Sequence, residues 1–417
     1  MIRDCFHNNP LAKDSDEWKI SLYLQMKPVK IFLLITMAWC GLNFGFAQTW
    51  TQTSAPSESW GSVASSADGT KLVAVVYDGG IYTSTNSGTT WTQTSAPNGH
   101  WFSVASSADG TKLAAANYTS IFTSSDSGST WISNNVSAVA LYSIASSADG
   151  NKLVAVGFSI GTPNGTICTS TNAGATWTQA SAPSLRWSSI ASSADGTKLV
   201  AAVEFLGGVV VQLPDGPVYT STNSGITWTI STAPSNNWHS VASSADGTKL
   251  AAASVSGSSG IYTSTNSGMT WAQTSAPHGN WGSIVSSADG TRLIAVNGNY
   301  IYTSTNSGST WTSNNAPITS WTSVASSVDG NEMIASEGGS IYIAQITPAP
   351  SMNIRPSNGN LTVSWIVPSM NFVMQQSSDL QDWADMTNQP VVNLTNLQNE
   401  VILSPPGSNV FYRLKTP

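Results

Sequence analysis

The stretch Ile81–Trp91, IYTSTNSGTTW, decides the fold, because the chain writes it six times. It returns as IFTSSDSGSTW ending at Trp131, ICTSTNAGATW at Trp177, VYTSTNSGITW at Trp228, IYTSTNSGMTW at Trp271 and IYTSTNSGSTW at Trp311. Read outward, the full unit is WGSVASSADGTKLVAVVYDGGIYTSTNSGTTWTQTSAP, Trp60 to Pro97. Three markers can be counted separately. An Asp-Gly turn falls at Asp68, Asp109, Asp149, Asp195, Asp246, Asp289 and Asp329. An aromatic residue opens each unit at Trp60, Trp101, Tyr142, Trp187, Trp238, Trp281 and Trp321. A Trp precedes the last segment at Trp50, Trp91, Trp131, Trp177, Trp228, Trp271 and Trp311. Each count is seven, and a period near 40 residues marks a propeller or a solenoid.

Each unit reads as four strands, A to D. WGSVASSA is strand A, whose small residues suit an innermost strand crowded around an axis. Asp68-Gly69 is a tight turn, with glycine suited to positive φ. KLVAVV, apolar at successive positions, is a strand B covered on both faces. IYTST is strand C, and WTQTSA after the NSGTT turn is strand D. The last unit, from Trp321, supplies A, B and C but no Trp-containing D. The orphan TWTQTSAP, Thr49 to Pro56, supplies it from the other end. The expectation is an all-β, seven-bladed β-propeller over residues 48–346, closed by the N-terminal strand, which removes exposed sheet edges.

The remaining segments differ in character. Residues 26–47, MKPVKIFLLITMAWCGLNFGFA, carry Lys27 and Lys30 and then an apolar run, with small residues Gly45 and Ala47 at the end. That is a signal peptide cleaved near Ala47, implying a secreted, periplasmic or cell-surface protein with no other membrane attachment. Residues 1–25 precede the plausible initiator Met26 and read as a mis-called upstream extension. Pro348 and Pro350 mark a linker, 347–351. Residues 352–417 show short alternating strands with Trp365, Trp383 and Tyr412, the pattern of a small antiparallel β-sandwich.

Charged residues make up only 9% of the chain, against about a quarter in ordinary globular chains. Residues 1–47 hold five of the 15 basic and four of the 22 acidic residues, which leaves ten and 18, a net of −8. No basic patch appears, so nucleic acid is not an expected partner. Cleavage removes Cys5 and Cys40, leaving Cys168, so stability rests on packing and not on an internal disulfide.

STNSGTTW, Ser84 to Trp91, resembles the Asp-box, or BNR repeat, Ser-x-Asp-x-Gly-x-Thr-Trp. Asn86 stands in the Asp place, and Asp126 is a full match. Sialidases, xyloglucanases, sortilin-type receptors and photosystem assembly factors carry such boxes. They share propellers and not functions, so the resemblance implies a sialidase-like superfamily fold and little more. In the box a short Asn or Asp side chain bonds main-chain N–H groups, and Gly88 takes the left-handed conformation. Asn is a poorer calcium ligand than a carboxylate, so the boxes are not expected to be metal sites. SSDLQDW, 377–383, and FYRL, 411–414, resemble a C-terminal module of large secreted bacterial proteins.

The chemistry implied by sialidases needs three arginines and a Tyr–Glu pair. The repeat region holds only Arg186 and Arg292. His100, His239 and His278 lie in different units without zinc spacing, and no nucleophile elbow or phosphate loop is present. No cofactor and no metal are expected. The A–B and C–D turns, on one rim, hardly vary among units. The B–C and D–A loops on the opposite rim do vary, with EFLGGVVVQLPDGP, Glu204 to Pro217, and FSIGTPNGT in the third unit. The expected function is binding or scaffolding by a monomer, with a glycan or protein held at the variable rim. The alternatives are a carbohydrate-active hydrolase and an assembly factor for a membrane complex. Glu58, Asp78 and Glu337 are the carboxylate candidates for a cation site or an acid–base pair there, since closure brings their loops to one seam.

Overall fold

A computed structural model describes residues 49–345 apart from 119, 137–139, 160–163, 205–215 and 256–259. It also describes 353–415 apart from 358–359, 367–372, 379–381, 387–390, 394–397 and 404–409. The upstream extension, the signal peptide and the linker 347–351 lie outside the described residues. Those residues form strands, turns and loops, with no helix among them.

Between Thr49 and Gln345 the chain forms seven four-stranded antiparallel sheets, one per repeat. In the first unit strand A is Trp60–Ser65, B is Leu72–Val76, C is Ile81–Ser84 and D is the short Thr92–Gln93. In the last, A is Trp321–Ser326, B is Glu332–Glu337 and C is Ile341–Gln345. Its fourth strand is Thr49–Gln52, from the start of the chain, with Thr49 opposite Gln345 and Gln52 opposite Tyr342. Trp50 buries against Trp321, with ring centroids 5.8 Å apart.

The A strands neighbour one another in chain order, and the last returns to the first. Two sets of hydrogen bonds run through that cycle. The amide of Ala67 donates to the carbonyl of Ala108, Ala108 to Ala148, Ala148 to Ala194, Ala194 to Ala245, Ala245 to Ala288, Ala288 to Val328, and Val328 back to Ala67. Between units, Ser62 Oγ accepts from the amide of Val104, and Ser103 Oγ from Ile144. The series ends with Ser323 Oγ accepting from Val63. Small side chains on strand A let backbones approach closely enough for these bonds. Strand B, as its apolar run demands, is buried along its length.

A β-bulge separates the opening residue of strand A from the serine two places on, as between Trp60 and Ser62. The residue before the bulge fills an apolar slot between units. Trp60, Trp101, Trp187, Trp238, Trp281 and Trp321 are all buried there, and so pack units together instead of facing ligand. In the third unit the bulge lies between Leu141 and Ser143, and Leu141 is fully buried. The aromatic Tyr142, expected to open that unit, is therefore one position later, on the bulge itself. The slot selects for burial and not for aromaticity.

Each Asp-Gly turn is a polar knot. Ser66 Oγ donates to Asp68 Oδ1, and the amide and hydroxyl of Thr70 donate to the same carboxylate. In Asp109, Asp149, Asp195, Asp246 and Asp289, burial pushes the carboxyl up, but the serine, main-chain and Thr or Asn hydrogen bonds outweigh it. All five are held below the ordinary carboxylate range. In the more deeply buried Asp329, burial wins and the carboxyl is raised.

The C-terminal residues form one sheet of four strands and one of three. Val363, Trp365, Val401 and Leu403 of the first share a cluster with Met374 of the second.

Two outcomes follow. Trp50→Ala should lower stability by about 3 kcal/mol or more, as expected for emptying a buried Trp site, measured by denaturant unfolding. A carboxyl depressed by folding contributes stability above its unfolded value, and that contribution is lost as pH falls through the folded value. The melting temperature should therefore drop steadily below about pH 4, and Asp195→Asn should flatten the drop in thermal melts followed by circular dichroism.

Candidate functional site

The box turns come first, because their repetition marks them out. Ser84 Oγ accepts from the amide of Gly88 at 2.9 Å and donates to Asn86 Oδ1 at 3.0 Å. Asn86 Oδ1 also accepts from the amide of Thr90, and its Nδ2 donates to the Thr90 hydroxyl. Asp126 accepts from the Thr130 amide in the same way, but here the Thr130 hydroxyl donates to the carboxylate instead of accepting, and the two bonds hold the carboxyl below the ordinary range. Ser87 and Gly88 are both left-handed, at φ 51° and 78°. The Ser87 amide reaches across to the carbonyl of Thr70, tying the box to the Asp-Gly turn of its own unit. The box side chain is thus spent on the turn. No group of three His, Cys, Asp or Glu residues that could hold a metal occurs among the described residues.

The opposite rim carries something different. A continuous arc of rings crosses it from the first unit to the third. Tyr77, just after strand B of the first unit, meets His100 at 5.8 Å and Phe102 at 5.7 Å between centroids. Tyr118 packs edge-on to His100 at 5.2 Å and to Phe102 at 5.0 Å. Phe102 meets Tyr142 at 4.8 Å, and Tyr142 stacks on Phe158 at 4.3 Å with 16° between planes. The Arg186 guanidinium, from the fourth unit, lies 3.5 Å over the Phe158 ring. Glu204 stands beyond it, 4.0 Å from Arg186 and 3.8 Å from His239 of the fifth unit.

Local structure explains the placement. The extra residue of a bulge is left out of the ladder, and its side chain is re-aimed. That residue is Tyr142 in the third unit and His239 in the fifth. Phe102 takes the corresponding place in the second, its amide bonded to the carbonyl of Ala116. In the first, sixth and last units it is Gly61, Gly282 and Thr322. The position thus brings a large ring to this rim in the second, third and fifth units and little or no side chain in the others.

The electrostatics are mixed. The Tyr118 hydroxyl beside Tyr77, together with partial burial, raises the Tyr77 phenol. Burial raises Tyr142 despite the opposing pull of Arg186. Burial lowers the Arg186 guanidinium, although Glu204 and Tyr142 favour its charge. Arg186 is only 10% exposed, while Tyr77 remains 41% exposed.

The three carboxylates singled out in the sequence have separate partners. Asp78 pairs with His100 Nδ1. Glu337 accepts from Thr319 Oγ1 at 2.5 Å. Glu58 is half-buried, near enough to Tyr82 to help raise its phenol after burial has done so. No hydrogen bond or ion pair joins any two of them. Cys168 is buried, which raises its thiol. The aromatic arc was missed in the sequence, although a comparison of residues two places before each Ser-hydrophobic pair of strand A would have flagged Trp101-Phe102 and Leu141-Tyr142.

No family model and no curated protein matches the chain. Solved structures do match its shape. The RRP9 WD40 repeats superpose with a TM-score of 0.58 at 10% identity, covering 72% of this chain and 97% of that one. YCF48 bound to a D1 peptide gives 0.55 at 13% identity, over 74% and 99%. The GH74 xyloglucanase from Xanthomonas campestris gives 0.55 at 13% identity, over 77% of this chain and 60% of that one. The shared feature is the fold, a β-propeller.

Asn266→Ala should cost about 1 kcal/mol through lost turn hydrogen bonds and leave the opposite rim unchanged. Denaturant melts beside near-ultraviolet circular dichroism of the aromatic arc would check both.

Proposed function

We propose that this chain is a secreted, non-catalytic Asp-box propeller of seven blades, closed by its N-terminal strand and followed by a small β-sandwich. It acts as a monomer and holds a protein segment on the variable rim. The reading of closure is supported by the pairing of Thr49–Gln52 with the last unit and by the cyclic amide bonds. The reading of function is carried by one observation: the arc from Tyr77 to Arg186, which joins rings of neighbouring units into one continuous surface.

Aromatic rings with Arg at one end are the composition of binding hot spots. Most of these rings pack edge to face, at interplanar angles of 69° to 84°. They present edges and clefts to an incoming apolar side chain more than flat faces to a sugar. Asp78 and His100 at one end, and Arg186, Glu204 and His239 at the other, add polar and charged groups that would orient such a segment. A neighbour of the same fold, YCF48, is seen with a peptide bound. The third bulge residue, Tyr142, is central to the surface. Glu58, Asp78 and Glu337 then serve as rim carboxylates, with Asp78 closest to the arc.

The test is a peptide library and a glycan array probed in parallel with wild type and with the Tyr77→Ala/Tyr118→Ala double variant. The expected result is peptide retention by wild type that falls at least about tenfold in the variant, with the melting temperature nearly unchanged. Glycan retention without peptide retention, or turnover of a glycan, would overturn this reading.

A further inference from the structure

Arg186 and Glu204 are set side by side by the end of a ladder. Arg186 directly precedes strand A of the fourth unit, Trp187–Ser192, and Glu204 directly follows its strand B, Leu199–Val203. The amide of Glu204 donates to the carbonyl of Arg186 at 2.9 Å, one step beyond the last pair, Trp187 with Val203. The first and fifth units make the same bond between other residues, Tyr77 to Ser59 and Val255 to Asn237. Of these three units, the fourth alone sets opposite charges there.

The two charges balance, but their hydrogen bonds are unmade. A guanidinium carries five N–H donors and no acceptor. Arg186 is nine-tenths buried, yet among the described residues nothing accepts from it. The nearest carboxylate oxygen, on Glu204, stands at 4.0 Å, outside hydrogen-bond range. The Nε is buried with no acceptor. Stacking over Phe158, at 3.5 Å, holds the group in place without using a donor. Glu204 keeps its other oxygen 3.8 Å from His239 Nδ1, again too long for a hydrogen bond. This end of the arc thus presents unused donors beside an unused acceptor.

We propose, resting on the reading of the arc as a peptide surface, that this pair receives the main chain of one extended residue of the bound segment. Its carbonyl accepts from Arg186, and its N–H donates to Glu204. In an extended chain the N–H and C=O of one residue point the same way, as in the hydrogen-bonded pairs of an antiparallel ladder. A neutral peptide group suits the pair better than an anion, because a second carboxylate beside Arg186 would also stand against Glu204. Proline, which has no N–H, is excluded from the anchored position. The stacked rings of Tyr142 and Phe158 lie next to the guanidinium and offer an apolar neighbour to the side chain of the same residue.

The probe is N-acetyl-phenylalanine N-methylamide, one apolar residue with both main-chain groups. Its form methylated at the phenylalanine nitrogen lacks the N–H, and N-acetyl-phenylalanine carries a carboxylate. In the full chain at about pH 8, above the ordinary histidine range, the Arg186 Nε–H signal reports occupancy by nuclear magnetic resonance. Arg186→Lys assigns that signal. It should shift saturably with the amide and respond about tenfold more weakly to either control. Glu204→Gln keeps an acceptor and removes the charge, so it should retain the amide and raise the carboxylate at least to the same level. Tyr77→Ala/Tyr118→Ala, at the far end of the arc, should leave the amide response unchanged. No shift of Arg186 with the amide, equal binding of the N-methylated form, or tighter binding of the carboxylate to wild type would each overturn the proposal. Should peptide retention still depend on Tyr77 and Tyr118 in that case, the arc stands without this anchor. The reverse result, an Arg186 response in a protein that retains no peptide, keeps the anchor and overturns the wider surface.

Discussion

The innermost strand of each unit and the turn that follows it carry two amide hydrogens that their own sheet does not satisfy, and the structure turns on where they go. In the first unit these are the amides of Val63 and Ala67. One finds Ser323 of the last unit and the other finds Ala108 of the second. A buried amide left unpaired costs about 1–3 kcal/mol, and the need recurs in every unit. A unit therefore cannot stand alone, and adding neighbours continues until the bonds return to their start. The small residues of strand A follow from this, since bulkier side chains would hold the backbones apart. So does the serine after each bulge, which supplies the acceptor between units.

Repetition made most of this legible in the sequence. The Asp-Gly turns, the four strands per unit and the pairing of Thr49–Gln52 with the last unit could be read because near-identical units expose each departure from the pattern. Three things could not. The Trp slot of the third unit was assigned to Tyr142 because aromatic character was matched, whereas packing required a buried side chain before the bulge, and Leu141 supplies it. The aromatic arc joins residues from different units, so no single repeat contains its signal. The carboxylates Glu58, Asp78 and Glu337 share a rim by topology, yet their nearest partners are settled by loop detail that no periodicity encodes.

The two rims have divided the work of the unit. On one, Asp-Gly turn and box are locked to each other, as Ser87 to Thr70, and to the next unit through lysine. Their side chains are fully engaged in that task, and so vary little. On the other, the bulge holds the backbone regardless of which side chain it carries. Gly61, Phe102, Tyr142, Ser188, His239, Gly282 and Thr322 all fit it. A position that tolerates glycine and tyrosine alike is one where surface chemistry can change without disturbing the packing beneath.

The strand Thr49–Gln52 has a consequence for the order of events at the ribosome. It is synthesised before every strand it must pair with, and its partner Ile341–Gln345 is the last strand of the seven repeat sheets to be made. The units between can fold as they emerge, because their sheets join residues close in sequence. The first strand must wait, and Gln52 meets Ser340 across 288 residues. Until then the last unit presents a bare sheet edge, and any free copy of TWTQ can occupy it. In a crowded nascent pool the same pairing that completes one molecule can link two, each lending its first strand to the other. Concentration during refolding thus decides between a finished monomer and an exchanged chain.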